Sequence, residues 1–502
     1  MACNHLSLVE VESSCITPWD SFQYLGSLIK DIFLPKGYPY SVSSDYLEYQ
    51  IWDTCQAFCS SISGTLTVQA IMEGIGVGSK AATPVSAAIT WIMKDGTGML
   101  GSILFAWLKG SKLDSDCKKW RLFADVLNDI AMFIELFIPL FINYSMHMLC
   151  IATAFKALVG TAGSSTRAAL ITHQAVKGNI ADVSAKDGSQ ELFTNLFAFV
   201  FGILILKNIT GTYQVWSVMC TATLFHLIFN YKAVRCLRMN VFNGERFRLS
   251  LRSYLPTSSV PTIEQVNRRE SVILGGGTSD CQLCGFSIIF GASVRKVVVS
   301  ERMSGQYLST LVAAFQHRKY LILPQIKRKK IFVTFRTNFS DCDVLPSYFH
   351  AIILGIVISK LQADKNLHVI RRSRKNSPMY RLQNILEGVS SAAVDSKSFE
   401  DKYVVIAKAL TICDNFIEKE LAAFSQLCSE EGWTLEKHLI NVDEWRADWK
   451  YSPEKQSVPV KRNVMQKKVH IQQPQYQQKK KNSLKPEEKS TGTRNYSSLV
   501  IS

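Results

Sequence analysis

The sequence predicts a mainly α-helical protein, with a helical membrane-associated N-terminal domain, a smaller α+β C-terminal domain and a disordered basic tail. Three observations support this prediction. Long apolar segments alternate with short polar ones up to about residue 240. Short β-branched and aromatic runs follow after residue 280. The residues after 450 are rich in Lys, Gln and Ser and poor in large apolar side chains, which is typical of disorder.

Charge divides the 502-residue chain at about the same place. Residues 1–240 carry 17 Lys and Arg against 17 Asp and Glu, so the whole net charge of +16 lies in the remainder. We therefore assign residues 24–245 to the membrane-associated domain, after a flexible leader over residues 1–23. The first 29 residues contain acidic but no basic side chains, so we expect no cleavable organelle signal.

The first predicted helix of the domain starts near Ser43 or Ser44, which are suitable N-caps after a Pro/Gly turn. Its aromatic side chains recur at helical spacing, and we interpret them as a packing stripe rather than a cofactor site. Gly74, Gly76 and Gly78 end this region. They follow a helix and lack the strand and the spacing of a dinucleotide-binding loop, so we interpret them as close helix packing.

Three later segments are candidates for membrane helices. Residues 86–110 are apolar but contain Lys94-Asp95-Gly96, which we expect to split them into a kinked or re-entrant helix pair or a buried hairpin. Residues 132–158 are the best spanning candidate, with a buried helix pair broken at Pro139 as the alternative. Residues 192–206 and 213–229 predict a helical hairpin.

A basic cluster follows that hairpin, and it favours a cytosolic position for the C-terminal half. It consists of Lys232, Arg235, Arg238, Arg246 and Arg248.

The polar stretch over residues 160–191 lies between the most apolar segments. A helix over residues 166–177 would place Arg167, His173, Gln174 and Lys177 on one face. One interpretation is a pocket for a small anion or polar metabolite; the other, which we favour, is a solvated amphipathic linker. The candidate ligand-binding residues are Arg167, His173, Asp182, Lys186, Lys94 and Asp95.

Three stretches carry a specific resemblance. LPKGYPYSVSSDYLEYQIWDTCQAF, WIMKDGTGMLGSILFAWLKGSKLDSDCKKWRLFADVLND and GTAGSSTRAALITHQAVKGNIADVSAKDGSQE closely resemble the root UVB sensitive family in order and spacing. The resemblance covers about residues 24–245 and indicates a plant member, with the sixth plant paralogue as the expected type. The region after residue 280 resembles the C-terminal domain of the same family.

The resemblance implies a membrane-associated, mostly helical protein that acts in embryo or seedling development, in the root response to ultraviolet-B light and in auxin transport. It also implies a complex with another family member and a link to pyridoxal phosphate homeostasis. The family brings no catalytic residue with it, so the candidate residues above depend on the sequence pattern alone.

The basic half predicts a linker over residues 246–280 and an α+β domain over residues 281–450. Residues 286–300, 320–323 and 331–335 read as strands, and residues 305–317, 344–361 and 397–427 as helices. The largely apolar residues 344–361 fit a small α+β core and a membrane span equally well. Cys281 and Cys284 form a lone C-x-x-C without a second ligand pair, so we expect neither a metal site nor a cofactor.

The basic clusters at residues 327–330 and 371–375 favour anionic lipid as a partner over nucleic acid, since no nucleic-acid-binding motif accompanies them. The tail over residues 451–502 carries 11 basic and 3 acidic residues and is expected to be solvated. The 13 scattered cysteines indicate a reducing compartment.

The leading functional hypothesis is a non-enzymatic, membrane-associated developmental protein. The second is a carrier or binder of a small polar metabolite, such as a pyridoxal compound, at residues 160–191. An enzyme is the third and least favoured, because Lys94, Asp95 and His173 show no nucleophile–base spacing.

Overall fold

The computed structural model describes residues 18–75, 84–209, 211–300, 303–362, 373–390 and 399–450. The predicted leader lies outside these ranges up to residue 17, and the predicted tail over residues 451–502 lies outside them entirely. The described residues form fifteen α-helices and five short strands, so the mainly α-helical prediction is confirmed.

Seven helices form the N-terminal region. The long second helix lies at its centre and packs against the fourth, sixth and seventh, while the fifth packs against the third and fourth. The seven helices are α1 (Pro18–Phe33), α2 (Tyr46–Ile75), α3 (Pro84–Lys109), α4 (Cys117–Leu136), α5 (Ser145–Gln174), α6 (Ile180–Asn208) and α7 (Thr212–Cys236).

Helix α3 corrects the expectation of a break at Lys94-Asp95-Gly96, because it runs without interruption from Pro84 to Lys109. Glycine is tolerated inside a helix, and two further glycines allow α3 to approach α5 closely. A Cβ atom at Gly98 would lie 3.1 Å from the Cγ2 atom of Thr153. Gly74 likewise lies directly against Ile138, which agrees with the close-packing interpretation; Gly76 and Gly78 lie outside the described residues.

The predicted span over residues 132–158 is not one helix. A short 3-10 segment, Ile138–Tyr144, contains Pro139 and separates α4 from α5, as in the alternative of a break at that proline. Three helical segments of the described chain are long and apolar enough to cross a membrane: Ile138–Gln174, Ile180–Asn208 and Asp341–Leu361. The first two are only 17% buried in their most apolar windows, whereas the third is 83% buried.

The C-terminal region is built on a three-stranded sheet in the order β2-β4-β3, with β2 parallel and β3 antiparallel to the central strand. Strands β1 and β5 form a separate parallel pair. The strands are β1 (Val241–Phe242), β2 (Ser287–Phe290), β3 (Tyr320–Gln325), β4 (Lys330–Phe335) and β5 (Thr434–His438).

Eight helices complete this region. They are α8 (Gly244–Thr257), α9 (Ile263–Arg269), α10 (Asp280–Cys284), α11 (Val294–Ser300), α12 (Gly305–Ala314), α13 (Val344–Leu361), α14 (Pro378–Ser390) and α15 (Phe399–Glu430). Helix α13 lies between the sheet and α15 and is buried on all sides over nearly its whole length, which explains why its sequence is largely apolar and has no polar face.

Two expectations for this region are wrong. Residues 246–280 are not a linker, because α8 and α9 place Leu251, Tyr254 and Val266 in the same core as the sheet. The predicted strand over residues 286–300 is a strand only at its start, and α11 occupies its end.

A buried ion cluster joins the two regions. At the start of α4, Lys118 Nζ lies 3.0 Å from Glu270 and Lys119 Nζ lies 2.7 Å from Glu245. Arg246 Nε lies 3.4 Å from the other carboxylate oxygen of Glu270. Charges buried in this way are stable only when they are paired, so the two regions hold each other in place.

The pKa of Glu270 reflects this arrangement. Burial by itself would raise it, but the neighbouring charges of Arg246 and Lys118 lower it from 4.5 to about 2. The pKa of Lys118 is lowered, because burial and the charge of Arg246 outweigh the attraction of Glu270. A single carboxylate is therefore the shared partner of two cations.

We predict that Glu270→Gln destabilises the protein at neutral pH by about 3 kcal/mol, because it leaves two buried cations without their shared counter-ion. The depressed pKa makes this stabilisation fully present above pH 4.5 and lost as the pH falls towards 2. Thermal unfolding at several pH values tests both statements.

The matched control is Glu264→Gln, which removes an exposed i,i+4 pair with Arg268 and is expected to cost less than about 0.5 kcal/mol. Equal stability of the two variants at pH 7 would contradict the role of the cluster.

Candidate functional site

A cavity of about 310 Å³ lies between α2, α4, α5 and α6. Six polar residues of the stretch over residues 160–191 line it. The polar side chains that line it are Tyr49, Gln50, Asp53, Thr54, Gln56, Arg121, Ser164, Arg167, Gln174, Asp187, Gln190 and Glu191.

Two glycines of α5 give the cavity its room. Gly160 and Gly163 both line it, and a Cβ atom added at either position would meet no other atom within 4 Å. An alanine at a helix-interior position is more stable than a glycine by about 0.5–1 kcal/mol. The fold has room for a larger side chain at both positions, and glycine leaves that room to the cavity.

The charges in the cavity are paired. Arg167 donates to Asp187 at 2.6 Å and to Glu191 at 2.6 Å, and Arg121 donates to Asp53 at 2.9 Å. Three carboxylates thus face two guanidinium groups, which leaves one negative charge in excess. Such a cavity favours a neutral or cationic ligand that donates hydrogen bonds over a free anion.

One buried donor in the cavity is open. Gln174 is 1% exposed, and its Nε2 atom has no hydrogen-bond partner among the described residues. Buried amide groups are normally satisfied, so this one is available to a ligand acceptor or to water.

A chain of polar contacts leads from the cavity into the bundle. Gln56 donates to Asp53 at 3.2 Å, which turns its amide oxygen towards Nε2 of His226 at 2.9 Å. The other ring nitrogen of His226 lies 2.9 Å from Asp129. Because both ring nitrogens face acceptors, this arrangement favours the protonated imidazole.

These polar contacts of His226 were not predicted from the sequence. His226 lies in the apolar segment over residues 213–229, and a single polar residue on an apolar helix was its only signal.

Of the six predicted site residues, Arg167 alone lines the cavity. Helix α5 ends at Gln174 rather than continuing to Lys177, so the expected polar face stops there. His173 Nε2 contacts Asp45 at 3.0 Å instead.

The remaining four predicted residues lie elsewhere. Asp182 accepts the backbone N–H of Lys36 at 2.7 Å, and Lys186 donates to the backbone oxygen of Asp31. Lys94 and Asp95 form their own ion pair at 3.4 Å on α3. Asp182 and Lys186 hold the segment before α2, whereas Lys94 and Asp95 lie on another helix. Contacts between positions as far apart as Asp182 and Lys36 cannot be derived from spacing along the sequence.

Asp45 anchors the start of α2. It accepts from the backbone N–H of Arg238 at 2.6 Å, from Ser43 and from His173. Burial would raise its pKa, but the hydrogen bond and the charge of His173, with the other donors, lower it to about 2. Asp45 therefore links the end of α5 to the segment that follows α7.

The C-x-x-C pair lies on α10, with Cys281 exposed and Cys284 buried against Gly355 of α13. Within the part of the chain that the structure describes, no group of three or more His, Cys, Asp and Glu side chains could hold a metal ion.

Two family models match the chain one after the other. A model described as a vitamin B6 photo-protection and homoeostasis domain matches residues 19–258. A model described as the C-terminal part of root UVB sensitive protein matches residues 259–449. The chain belongs to the root UVB sensitive family. The change of model at residue 258 falls directly after α8, within the stretch that we expected to be a linker.

The chain is also similar to individual members of the family. It is 36% identical to root UVB sensitive 3 of Arabidopsis thaliana over 345 residues, which are 68% of this chain and 78% of that protein. It is 40% identical to RUS family member 1 of Dictyostelium discoideum over 252 residues, which cover 49% and 48% of the two chains.

Its identity to root UVB sensitive 6 of Arabidopsis thaliana is 24% over 87% of this chain and 80% of that protein, so assignment to the sixth paralogue stays a prediction. No solved structure matches.

We predict that Asp129→Asn destabilises this root UVB sensitive protein by about 3 kcal/mol, because it removes the carboxylate that faces the buried ring of His226. Thermal unfolding in detergent micelles measures the change. Asp95→Asn, which alters a half-exposed ion pair on α3, is the control and is expected to change stability by less than about 1 kcal/mol. An Asp129 variant as stable as this control would show that the His226 contact contributes little.

Proposed function

We propose that this protein is a non-enzymatic, membrane-embedded member of the root UVB sensitive family whose cavity binds a small polar metabolite, with an unphosphorylated vitamin B6 compound as the expected ligand. The observation that carries the proposal is the partly open cavity of paired charges inside the region that matches the vitamin B6 photo-protection and homoeostasis model.

Exposed apolar surface supports the membrane location. The outer faces of α3, α6 and α7 leave many large apolar side chains uncovered, far more than the surface of a soluble monomer normally does. Examples are Ile92, Leu100, Trp107, Leu196, Phe199 and Leu224. The candidate spans Ile138–Gln174 and Ile180–Asn208 belong to the same region. Helix α13 does not, because it is the centre of the C-terminal core.

The charge distribution supports a cytosolic position for the C-terminal half. The net charge of +16 lies entirely after residue 240, and a cluster of basic residues starts at Lys232 near the end of α7. Positive charge next to an apolar helix is retained on the cytosolic side of a membrane.

Size and charge support the class of ligand. The cavity volume of about 310 Å³ is at the lower end of small-molecule sites, which are about 300–1,000 Å³. A pyridine ring with hydroxyl groups can donate to Asp53 and Glu191 and accept from Gln174. A phosphorylated vitamer is less favoured, because both guanidinium groups of the cavity already have carboxylate partners.

The dispersal of the potentially catalytic residues supports binding rather than catalysis. Lys94 and Asp95 lie on α3, His173 contacts Asp45 at the end of α5, and none of them lines the cavity. The carboxylates that do line the cavity are paired with Arg121 and Arg167 rather than set against a nucleophile.

In the organism, we propose a role in plant development and in the root response to ultraviolet-B light, including auxin-related processes. The names of the Arabidopsis relatives support the connection to ultraviolet-B sensitivity.

We also propose that α3 contacts another family member. Lys94 and Asp95 lie near the middle of α3, on a helix whose neighbouring side chains Ile92 and Met93 are exposed. An ion pair facing lipid is costly, and a partner helix that covers it removes this cost.

We predict that pyridoxine or pyridoxal raises the melting temperature of the purified protein, because a ligand that binds only the folded state stabilises it by mass action, by about 2.7 kcal/mol at one hundred times Kd. Gly163→Leu, which fills the cavity from α5, is expected to abolish the shift. Pyridoxal phosphate is expected to give a smaller shift.

The control is Gly188→Leu on α6, where an added side chain also meets open space but does not enter the cavity lining. It should retain the ligand response. If wild-type protein responds to none of these compounds at millimolar concentration, the vitamin B6 proposal fails.

We predict that Lys94→Leu/Asp95→Leu reduces co-purification with a co-expressed family member by about tenfold or more, because the covering partner loses its charged contact. Lys109→Leu at the end of α3 should leave co-purification unchanged. Native mass spectrometry of the detergent-solubilised complex gives the ratio, and an undiminished complex would rule out α3 as the contact.

A further inference from the structure

A second cavity, of about 330 Å³, lies at the C-terminal end of α7 and shares no lining residue with the first. Helices α2, α7 and α9 all contribute to it, so it lies where the helical bundle meets the C-terminal region. The residues that matter for its chemistry are Trp52, Tyr231, Lys232, Arg235, Arg238 and Arg268.

The charge balance of this cavity is opposite to that of the first. Its four cations face only two carboxylates, Glu48 and Glu264. Arg238 lies 4.0 Å from Glu48, and both side chains are substantially exposed, so this pair is weak. Lys232 stacks on Trp52, with its Nζ atom 4.2 Å from the ring centroid, and forms no ion pair among the described residues. The cavity therefore holds uncompensated positive charge.

One of the four cations, Arg235, is a structural part of the cavity wall. Arg235 donates to the backbone oxygen of Arg268 at 2.6 Å and to that of Glu270 at 2.8 Å. It thereby fixes the end of α9 against α7. Lys232 and Arg238 remain as the cations that can turn towards a ligand.

An exposed apolar stripe leads into the cavity along α7. Leu224, Ile228 and Tyr231 are all exposed and follow at helical spacing, with Arg235 one turn further. The rise from Leu224 to Arg235 is about 16 Å, which is close to half of the roughly 30 Å hydrocarbon thickness of a bilayer. Trp52 and Tyr231 at the mouth are side chains that prefer the membrane–water boundary.

We propose that this cavity binds the phosphate-bearing headgroup of an anionic phospholipid whose acyl chains lie along the exposed apolar face of α7. The inference rests on the membrane location proposed above. Because α9 forms one wall, a bound lipid also connects the bundle to the C-terminal region.

The test compares lipids with matched variants of the full chain in detergent. Binding of phosphatidylserine and of phosphatidylcholine is measured by native mass spectrometry at equal mole fractions. Wild-type protein is expected to prefer phosphatidylserine. Lys232→Ala/Arg238→Ala is expected to bind it about thirtyfold more weakly, because each basic residue near an anionic surface contributes a factor of about five.

The control is Lys327→Ala/Lys329→Ala in the turn between β3 and β4, which removes the same charge from residues that do not line the cavity and should retain the preference. Equal loss in the control would overturn the proposal in favour of general surface attraction. Lack of any preference in wild-type protein would also overturn it. Inorganic phosphate that competes at low millimolar concentration would reassign the cavity to a soluble phosphate.

Two further measurements keep these outcomes separate. Melting temperatures without lipid show that the variants are folded, and Lys232→Glu alone serves if the double variant is not. Extraction of membranes at high pH tests the membrane location itself: release of the chain would end the proposed function, whereas retention without lipid preference would end only this inference.

Discussion

The buried ion cluster at the start of α4 sets the geometry of both cavities. Lys118 and Lys119 are held by Glu270 and Glu245, which fixes the rotation of α4 about its axis. Residues three, seven and eleven positions after Lys118 lie on nearly the same side of a helix. These positions are Arg121, Asp125 and Asp129. Arg121 supplies one of the two guanidinium groups of the first cavity, Asp125 is a second carboxylate partner of Arg121, and Asp129 is the partner of His226. Glu270 also follows directly after α9, which forms one wall of the second cavity.

The two cavities differ in how their charges are compensated rather than in size. In the first, every guanidinium has a carboxylate partner and one amide donor is open, so recognition depends on hydrogen bonds. In the second, cations exceed carboxylates and one cation rests on an aromatic ring. Long-range attraction of anions, with its dependence on salt, is therefore a property of the second cavity. Helix α2 lines both and separates them.

Local sequence signals predicted the helical N-terminal domain, three strand segments after residue 280 and the apolar segments, because periodicity and propensity are properties of neighbouring residues. They failed at α3, where Lys94-Asp95-Gly96 interrupts the hydropathy but not the backbone hydrogen bonds. They also failed at α8, because charged neighbours obscure the apolar pattern of its buried Leu251 and Tyr254. Arg167 was found because it lies in the polar stretch itself. The partners of His173 and Asp182 are more than a hundred residues away, so no local pattern contains them.

Helix α13 has a consequence for synthesis of the protein. Its 18 residues are as apolar as a membrane span, yet they form the centre of the C-terminal core. Strands β3 and β4 precede it and are available as it leaves the ribosome, whereas α15, which covers its other side, is made later. In a membrane-embedded protein, as proposed above, the translocon and the unfinished core compete for the same segment during that interval. The proposed cytosolic position of the C-terminal half therefore requires the sheet to capture α13 before the translocon does.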